Sequence, residues 1–252
     1  MVAIPTANRP ELLALTLERL SQALSVSTKQ GTKTSADVHI YADAVPESRL
    51  REIEIVRDLY LPGAFLFNAR PHVAVPSGCW NILNSIKHAA RFADEVYLVE
   101  EDVLVFPQFF QWHQSQSAAA SCGRRHPDPR WVYRNLYTNP GSCLRRPLLD
   151  VLLPHINDEY FADTKAYCDK HFFLWDTSTL DDWLIRRVMM KHGLETIYPD
   201  APVCAHIGFR MYNRIDIYMN HEVGIEKKIA RAREIMAGVS NTDRYATDFE
   251  PY

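Results

Sequence analysis

The stretch Val96-Tyr97-Leu98-Val99-Glu100-Glu101-Asp102-Val103-Leu104-Val105-Phe106-Pro107-Gln108-Phe109-Phe110 decides the reading of this chain. Residues 96–99 are apolar and have the length of a buried strand. They run directly into three consecutive carboxylates. Like charges at a strand end repel, and the repulsion is relieved by raised pKa values or by a cation. A hard divalent ion with oxygen ligands, magnesium or manganese, is the natural partner for such a cluster. Pro107 then opens a helix that carries Phe109 and Phe110.

Upstream of this stretch the chain alternates between short apolar runs and helical patterns. Residues 2–4 are apolar and stop at Pro5, and residues 6–11 (TANRPE) turn into a helix with Pro10 at its first position. Leu13, Leu17, Leu20 and Leu24 follow at helical spacing, and residues 25–36 form a polar loop. Residues 38–41 read as a strand leading to Asp43, 46–57 as a helix, 63–67 as a strand and 80–92 as a helix. About four alternations of strand and helix predict a mixed α/β fold with a mostly parallel sheet flanked by helices. In such sheets ligands bind beyond the carboxyl ends of the strands. Three polar clusters fall at those ends: Thr6-Asn8-Arg9, Asp43, and Glu100-Glu101-Asp102.

The second half is less regular. Residues 131–136 read as a strand, 180–191 as a helix, 195–198 and 203–206 as short strands. Residues 222–236 read as a basic helix with Lys227, Lys228, Arg231 and Arg233, and 240–252 as a polar tail. No internal repeat is present.

The acidic stretch resembles the metal-binding motif of the GT-A glycosyltransferases, and more narrowly that of the N-acetylglucosaminyltransferase I group. There an acidic triplet precedes an apolar residue, a Pro and a Phe-Phe pair, matched by Pro107, Phe109 and Phe110. The resemblance implies a GT-A, Rossmann-like fold and a nucleotide-sugar donor. It makes Asp102 the ligand of a divalent cation (Mn2+ or Mg2+), with Glu100 and Glu101 as donor contacts. The central Glu101 departs from the Asp of the family pattern. The resemblance extends to Thr6, Asn8 and Arg9 as nucleotide-binding loop residues, and an Arg fork suits phosphate. It makes Asp43 an acceptor for the uracil of a UDP-sugar. The segment 179–187 (TLDDWLIRR) resembles the family's Asp-Asp-Trp segment and implies Asp182 as catalytic base of an inverting transfer. Asp181 is its immediate neighbour. His206, in VCAHIG, matches the late His that many GT-A enzymes supply to the metal, and a structural role for it stays open. Trp80, Trp175 and Trp183 are candidate sugar platforms.

The implied organisation is a GT-A catalytic domain over 1–215, divided into a nucleotide-sugar-binding half (1–120) and an acceptor-binding half (121–215). A C-terminal helix and tail follow over 216–252. The acceptor stays open between a glycan, a small molecule and a modified nucleobase of DNA. A formal net charge of -3 gives no global reason to expect a nucleic-acid or membrane partner, although Arg124-Arg125, Arg145-Arg146 and Arg186-Arg187 are local basic pairs. The cysteines, 5 in number and without CxxC spacing, predict reduced thiols rather than a zinc or redox motif. No signal-peptide pattern or apolar run of membrane-spanning length is seen, which makes a soluble cytoplasmic chain the expectation. Two other activities fit an α/β nucleotide-binding sheet: a sugar-phosphate nucleotidyltransferase, whose Gly-rich signature TANRPE lacks, and a nucleotide-sugar-binding module without catalysis.

Overall fold

A computed structural model describes residues 1–7, 9–29, 37–69, 77–124, 137–138, 140–172, 181–208 and 224–237. Asn8, Trp175, the expected strand at 131–136 and the tail at 240–252 lie outside the described residues.

The first half is four strand-helix units. They are β1 (Val2–Thr6), α1 (Pro10–Lys29), β2 (Val38–Ala42), α2 (Glu47–Tyr60), β3 (Phe65–Asn68), α3 (Ser77–Ala89), β4 (Glu95–Leu98), β5 (Val103–Val105) and α4 (Phe109–Gln114). The second half contains β6 (Ala120–Cys122), β7 (Ser142–Arg145), α5 (Arg146–Leu152), a 3-10 turn (Leu153–His155), α6 (Asp158–Ala162) and α7 (Thr164–His171). It continues with α8 (Asp181–His192), β8 (Thr196–Ile197), β9 (Cys204–His206) and α9 (Ile225–Ala237).

Among the described residues, seven strands form one sheet in the order β3-β2-β1-β4-β7-β6-β8. β3, β2, β1 and β4 run parallel, and β7 pairs antiparallel to both β4 and β6. Apart from the edge strand β3, whose side chains are mostly exposed, the parallel strands bury both faces, so their side chains alternate between two apolar layers. Val2, Ile4 and Tyr97 face α1, α2 and α4, whereas Ala3, Val96 and Leu98 face α3, α5 and α8. Leu13, Leu17 and Leu20 of the expected α1 stripe are fully buried in the first layer. Pro5 is tolerated in a central strand for a local reason. The Met1 and Ala3 carbonyls accept from β4, so odd residues of β1 point that way, and β4 has turned off before Pro5.

Phe109 and Phe110 fold back beneath β4. Their rings lie 5.2 Å apart, and Phe110 meets Tyr97 edge-on at 5.2 Å. Both are completely buried. The helix they occupy starts at Phe109, not at Pro107, because β5 takes residues 103–105 first. That strand, and the elements between 120 and 171, are absent from the sequence reading.

Arg145 ties the antiparallel half to its neighbours. It donates to the Ala118 carbonyl at 3.0 Å, to Ser121 Oγ at 3.1 Å and to the His113 carbonyl, and pairs with Glu95 at 3.2 Å. Arg146 pairs with Asp94 at 2.8 Å, and the buried Arg187 donates to Cys168 Sγ at 3.0 Å. These arginines, singled out as basic pairs, are therefore engaged within the chain. The same holds for α9, where Lys228 reaches Glu52 at 2.7 Å and Arg233 reaches Glu18 at 3.2 Å. No disulfide joins the five cysteines, all buried. Among the described residues no helix is long and apolar enough to cross a membrane.

Candidate active site

The β1 and β4 strand ends and a small ribbon assemble the site. After Leu98 the chain continues to pair with β1 through the Val99 amide and the Ala3 carbonyl, then turns, with the Val103 amide closing onto the Glu100 carbonyl at 3.0 Å. α1 holds this turn from below, as Thr16 Oγ1 donates to the Glu101 carbonyl at 2.8 Å. The chain then enters the β5–β9 ribbon, whose antiparallel register sets Val103 opposite His206. The Ile207 amide donates to the Asp102 carbonyl at 2.9 Å. Two residues 104 positions apart thus become neighbours: His206 Nε2 lies 3.3 Å from Asp102 Oδ1.

Glu101 points back into the β1–α1 loop. Its Oε2 accepts from Thr6 Oγ1 at 2.5 Å and from the Ala7 amide at 2.9 Å, and its Oε1 accepts from Arg9 Nε at 2.7 Å. Arg9 spans the motif, since its Nη1 also lies 2.9 Å from Asp102 Oδ2. Glu101 and Asp102 are both buried, so these ion pairs act in a poorly screened environment.

The electrostatics follow. Burial works to raise the pKa of Asp102, but the close contact and charge of His206, together with Arg9, outweigh it and hold the carboxyl well below its usual range. Burial opposes a charged imidazole at His206, yet the close contact and charge of Asp102, with the charge of Glu100, raise its pKa above the ordinary value.

Asp43 reaches the same edge through its backbone, its amide donating to the Thr6 carbonyl at 3.0 Å. Asn81, on α3, donates to the carbonyls of Thr6 at 3.3 Å and Tyr41 at 2.9 Å, locking the ends of β1 and β2 together. Asp182 stands in the first turn of α8, where its Oδ2 lies 3.1 Å from Arg186. Arg186 also covers the Trp183 ring at 4.6 Å and donates to the Tyr137 carbonyl at 2.5 Å. Trp80 faces Phe161 and lines a cavity of about 330 Å³ beside Tyr41, Phe67 and Asn84.

Thr6, Arg9, Glu101, Asp102 and His206 therefore form one contact network. Asp43 and Glu100 adjoin it, while Asp182 is held by a different set of contacts. Three participants escape sequence reasoning: Thr16, Asn81 and Gly208. Gly208 sits against the network, and a Cβ placed on it would lie 2.2 Å from Asp102 Oδ2 and 3.1 Å from His206 Nε2. Its only signal in the sequence is its position two residues after His206.

The donor set fits a small divalent ion. Asp102 Oδ1 is buried and accepts no hydrogen bond of good geometry. On an octahedral ion with arms of about 2.1 Å, neighbouring ligand atoms stand about 3 Å apart, close to the Asp102–His206 spacing. Among the described residues no third His, Cys, Asp or Glu joins the pair. Mg2+-like ions are commonly bound this way, with few protein ligands and the remaining positions left to phosphate and water.

No family model matches the chain, and no curated protein matches it by sequence. Solved structures do. A mannosyltransferase of Pyrobaculum calidifontis, solved with GDP-mannose and Mn2+, superposes with a TM-score of 0.52 at 14% identity, over 92% of this chain and 68% of that one. The fold is GT-A. Glucosyl-3-phosphoglycerate synthase of Mycobacterium tuberculosis, solved with Mn2+, UDP and phosphoglyceric acid, gives a TM-score of 0.46 at 12% identity, over 99% of this chain and 79% of that one. In GT-A terms, the Asp102–His206 pair stands beyond the carboxyl end of β4, where the parallel half of the sheet meets the antiparallel half.

Proposed function

We propose that this chain is a metal-dependent glycosyltransferase that moves a sugar from a nucleoside-diphosphate donor to an acceptor hydroxyl. The observation that carries the reading is the convergence of Asp102 and His206, 3.3 Å apart, at the ligand-binding edge of a GT-A sheet. The GT-A mannosyltransferase solved with GDP-mannose and Mn2+ supports the same donor chemistry. The narrower likeness to the N-acetylglucosaminyltransferase I group rests on the sequence motifs.

Asp102 and His206 would hold the ion. What the ion supplies when bound is positive charge against the departing diphosphate. Asp43, whose amide binds the Thr6 carbonyl, would accept a hydrogen bond from uracil, which favours UDP. Thr6, Asn8 and Glu100 border the donor. Arg9 and Glu101 act through the shape of the loop, because their functional groups already bind each other, Thr6, Ala7 and Asp102. Asp182 serves as the base: it removes the acceptor hydroxyl proton as the oxygen attacks the anomeric carbon from the face opposite the leaving group. The Arg186 guanidinium stands beside it, 3.1 Å from Asp182 Oδ2.

Calorimetric titration with a panel of UDP- and GDP-sugars, in Mn2+ and then in chelator, tests the reading. Mn2+-dependent binding of one donor, lost in Asp102→Ala, is the expected result. A protein that binds no nucleotide sugar under either condition is not a glycosyltransferase of this kind.

A further inference from the structure

Asp102 presents its two oxygens to two different side chains. Oδ2 lies 2.9 Å from Arg9 Nη1, and Oδ1 faces His206 Nε2 at 3.3 Å. Arg9 is itself anchored, because its Nε sits on Glu101 Oε1 at 2.7 Å while the other Glu101 oxygen takes the Thr6 hydroxyl and the Ala7 amide. The guanidinium therefore spans two adjacent carboxylates from a fixed loop, a geometry that a fork of donors can satisfy and a single ammonium cannot. Gly208 closes the same side: a Cβ there would lie 2.2 Å from Asp102 Oδ2. Arg9 Nη1 meets Oδ2 as an ion pair rather than a well-aligned hydrogen bond, and the other buried oxygen, Oδ1, faces His206 without a well-made hydrogen bond.

We propose, building on the metal site of the preceding section, that Arg9 is a positioning residue that restricts Asp102 to one-oxygen coordination, and that this selects the ion. Ca2+ takes about 6–8 oxygen ligands at about 2.3–2.6 Å and often draws both oxygens of a carboxylate. Smaller ions of the Mg2+ type demand near-octahedral geometry at about 2.0–2.1 Å and accept single oxygens. A carboxylate whose second oxygen is held by a guanidinium cannot chelate. The site therefore favours a small octahedral ion and discriminates against Ca2+. Gly208 is the second requirement, since any side chain there displaces Asp102 Oδ2 from Arg9 and crowds His206 Nε2, 3.1 Å from the added Cβ.

The test measures ion binding rather than turnover. Free Mn2+ is followed by electron paramagnetic resonance in the presence of UDP, with Ca2+ as competitor, for the wild type, Arg9→Gln, Arg9→Lys and Gly208→Ala. Wild type should bind Mn2+ and resist Ca2+. In Arg9→Gln the freed Oδ2 should shift the Ca2+/Mn2+ preference toward Ca2+ by about tenfold, the scale on which groups behind metal ligands act. Arg9→Lys, which keeps the charge but cannot span both carboxylates, should shift it the same way by about threefold and serves if Arg9→Gln does not fold. A purely structural role for Arg9 would weaken both ions equally and leave the ratio unmoved. Gly208→Ala should lose Mn2+ binding while its circular dichroism matches wild type. An unchanged ratio in a folded Arg9 variant, or undiminished Mn2+ binding by Gly208→Ala, overturns this inference and leaves the metal site standing. Wild-type protein that binds no Mn2+ overturns the metal site and this inference together.

Discussion

The Thr6 hydroxyl donates to Glu101 Oε2 at 2.5 Å, joining the end of β1 to the turn after β4 across 95 positions of sequence. This bond explains why a carboxylate is acceptable in the middle of the acidic motif. Glu101 is almost fully buried, and a buried charge is stable only when paired and hydrogen-bonded. Thr6, the Ala7 amide and Arg9 together meet that requirement. The β1–α1 loop and the acidic turn after β4 are thus one structural unit.

Glu101→Gln should therefore destabilise the protein. The substitution removes the charge facing Arg9 and turns an amide donor toward groups that already donate. Hydrogen bonds to charged groups are worth about 1.5–3 kcal/mol, so a loss of about 2–3 kcal/mol is expected by urea denaturation. Thr6→Val, which deletes one donor only, should cost less. Equal stability of Glu101→Gln and wild type would mean that the network contributes little.

Asp182→Asn separates catalysis from binding. Removing a general base costs about a hundredfold to ten-thousandfold in rate. Transfer should fall by that factor, while Mn2+-dependent donor affinity stays within experimental error, because Asp182 lies outside the Asp102 network. Near-wild-type turnover would exclude Asp182 as the base.

Lys228→Ala should loosen the C-terminal helix. Lys228 is buried and donates to Glu52, which also binds Arg49 at 2.5 Å. Glu52 keeps one partner after the change, so a loss of about 1–2 kcal/mol is expected. Hydrogen exchange should accelerate in α9, which packs Ile225, Ile229, Ala232 and Met236 into the core. Unchanged exchange there would show that apolar packing alone docks the helix.

Acid sensitivity should trace in part to His113. The imidazole is fully buried, with its Nδ1 2.7 Å from Ser121 Oγ, and burial and the Arg145 charge lower its pKa from 6.5 to about 3. The folded state thus keeps His113 neutral while the unfolded chain takes up a proton below its ordinary value. Its contribution is complete above pH 6.5 and is lost as pH falls toward 3. The limiting slope for one proton is about 1.4 kcal/mol per pH unit. His113→Asn should flatten the stability profile between those limits relative to wild type, measured by denaturation at several pH values.

The parallel half of the fold was legible in the sequence because its signals are local. Short apolar runs and period-3.6 patterns, with Pro10 at a helix start, locate β1 to β4 and α1 to α3, although α1 continues to Lys29, into residues read as loop. The β5 strand was not legible. Four apolar residues between an acidic turn and Pro107 carry no periodicity of their own, and Val103–Val105 is a strand only because Cys204–His206 pairs with it. The elements from 120 to 171 share that difficulty, being short segments whose conformation is set by contacts with distant chain.

For the site, the apolar strand pattern placed Thr6, Arg9, Asp43 and the acidic triplet at strand ends, and the resemblance to GT-A motifs singled out Asp102 and His206 as candidate partners of a cation. Tertiary structure decided the division of labour among them. It turned Glu101 and Arg9 inward to each other, gave Asp102 Oδ2 to Arg9 and Oδ1 to His206, and made Gly208 a requirement of that packing. The physical reason is range. A sequence shows which charges an element carries, but which of them meet depends on the sheet order and ribbon register that bring residues 6, 102 and 206 together.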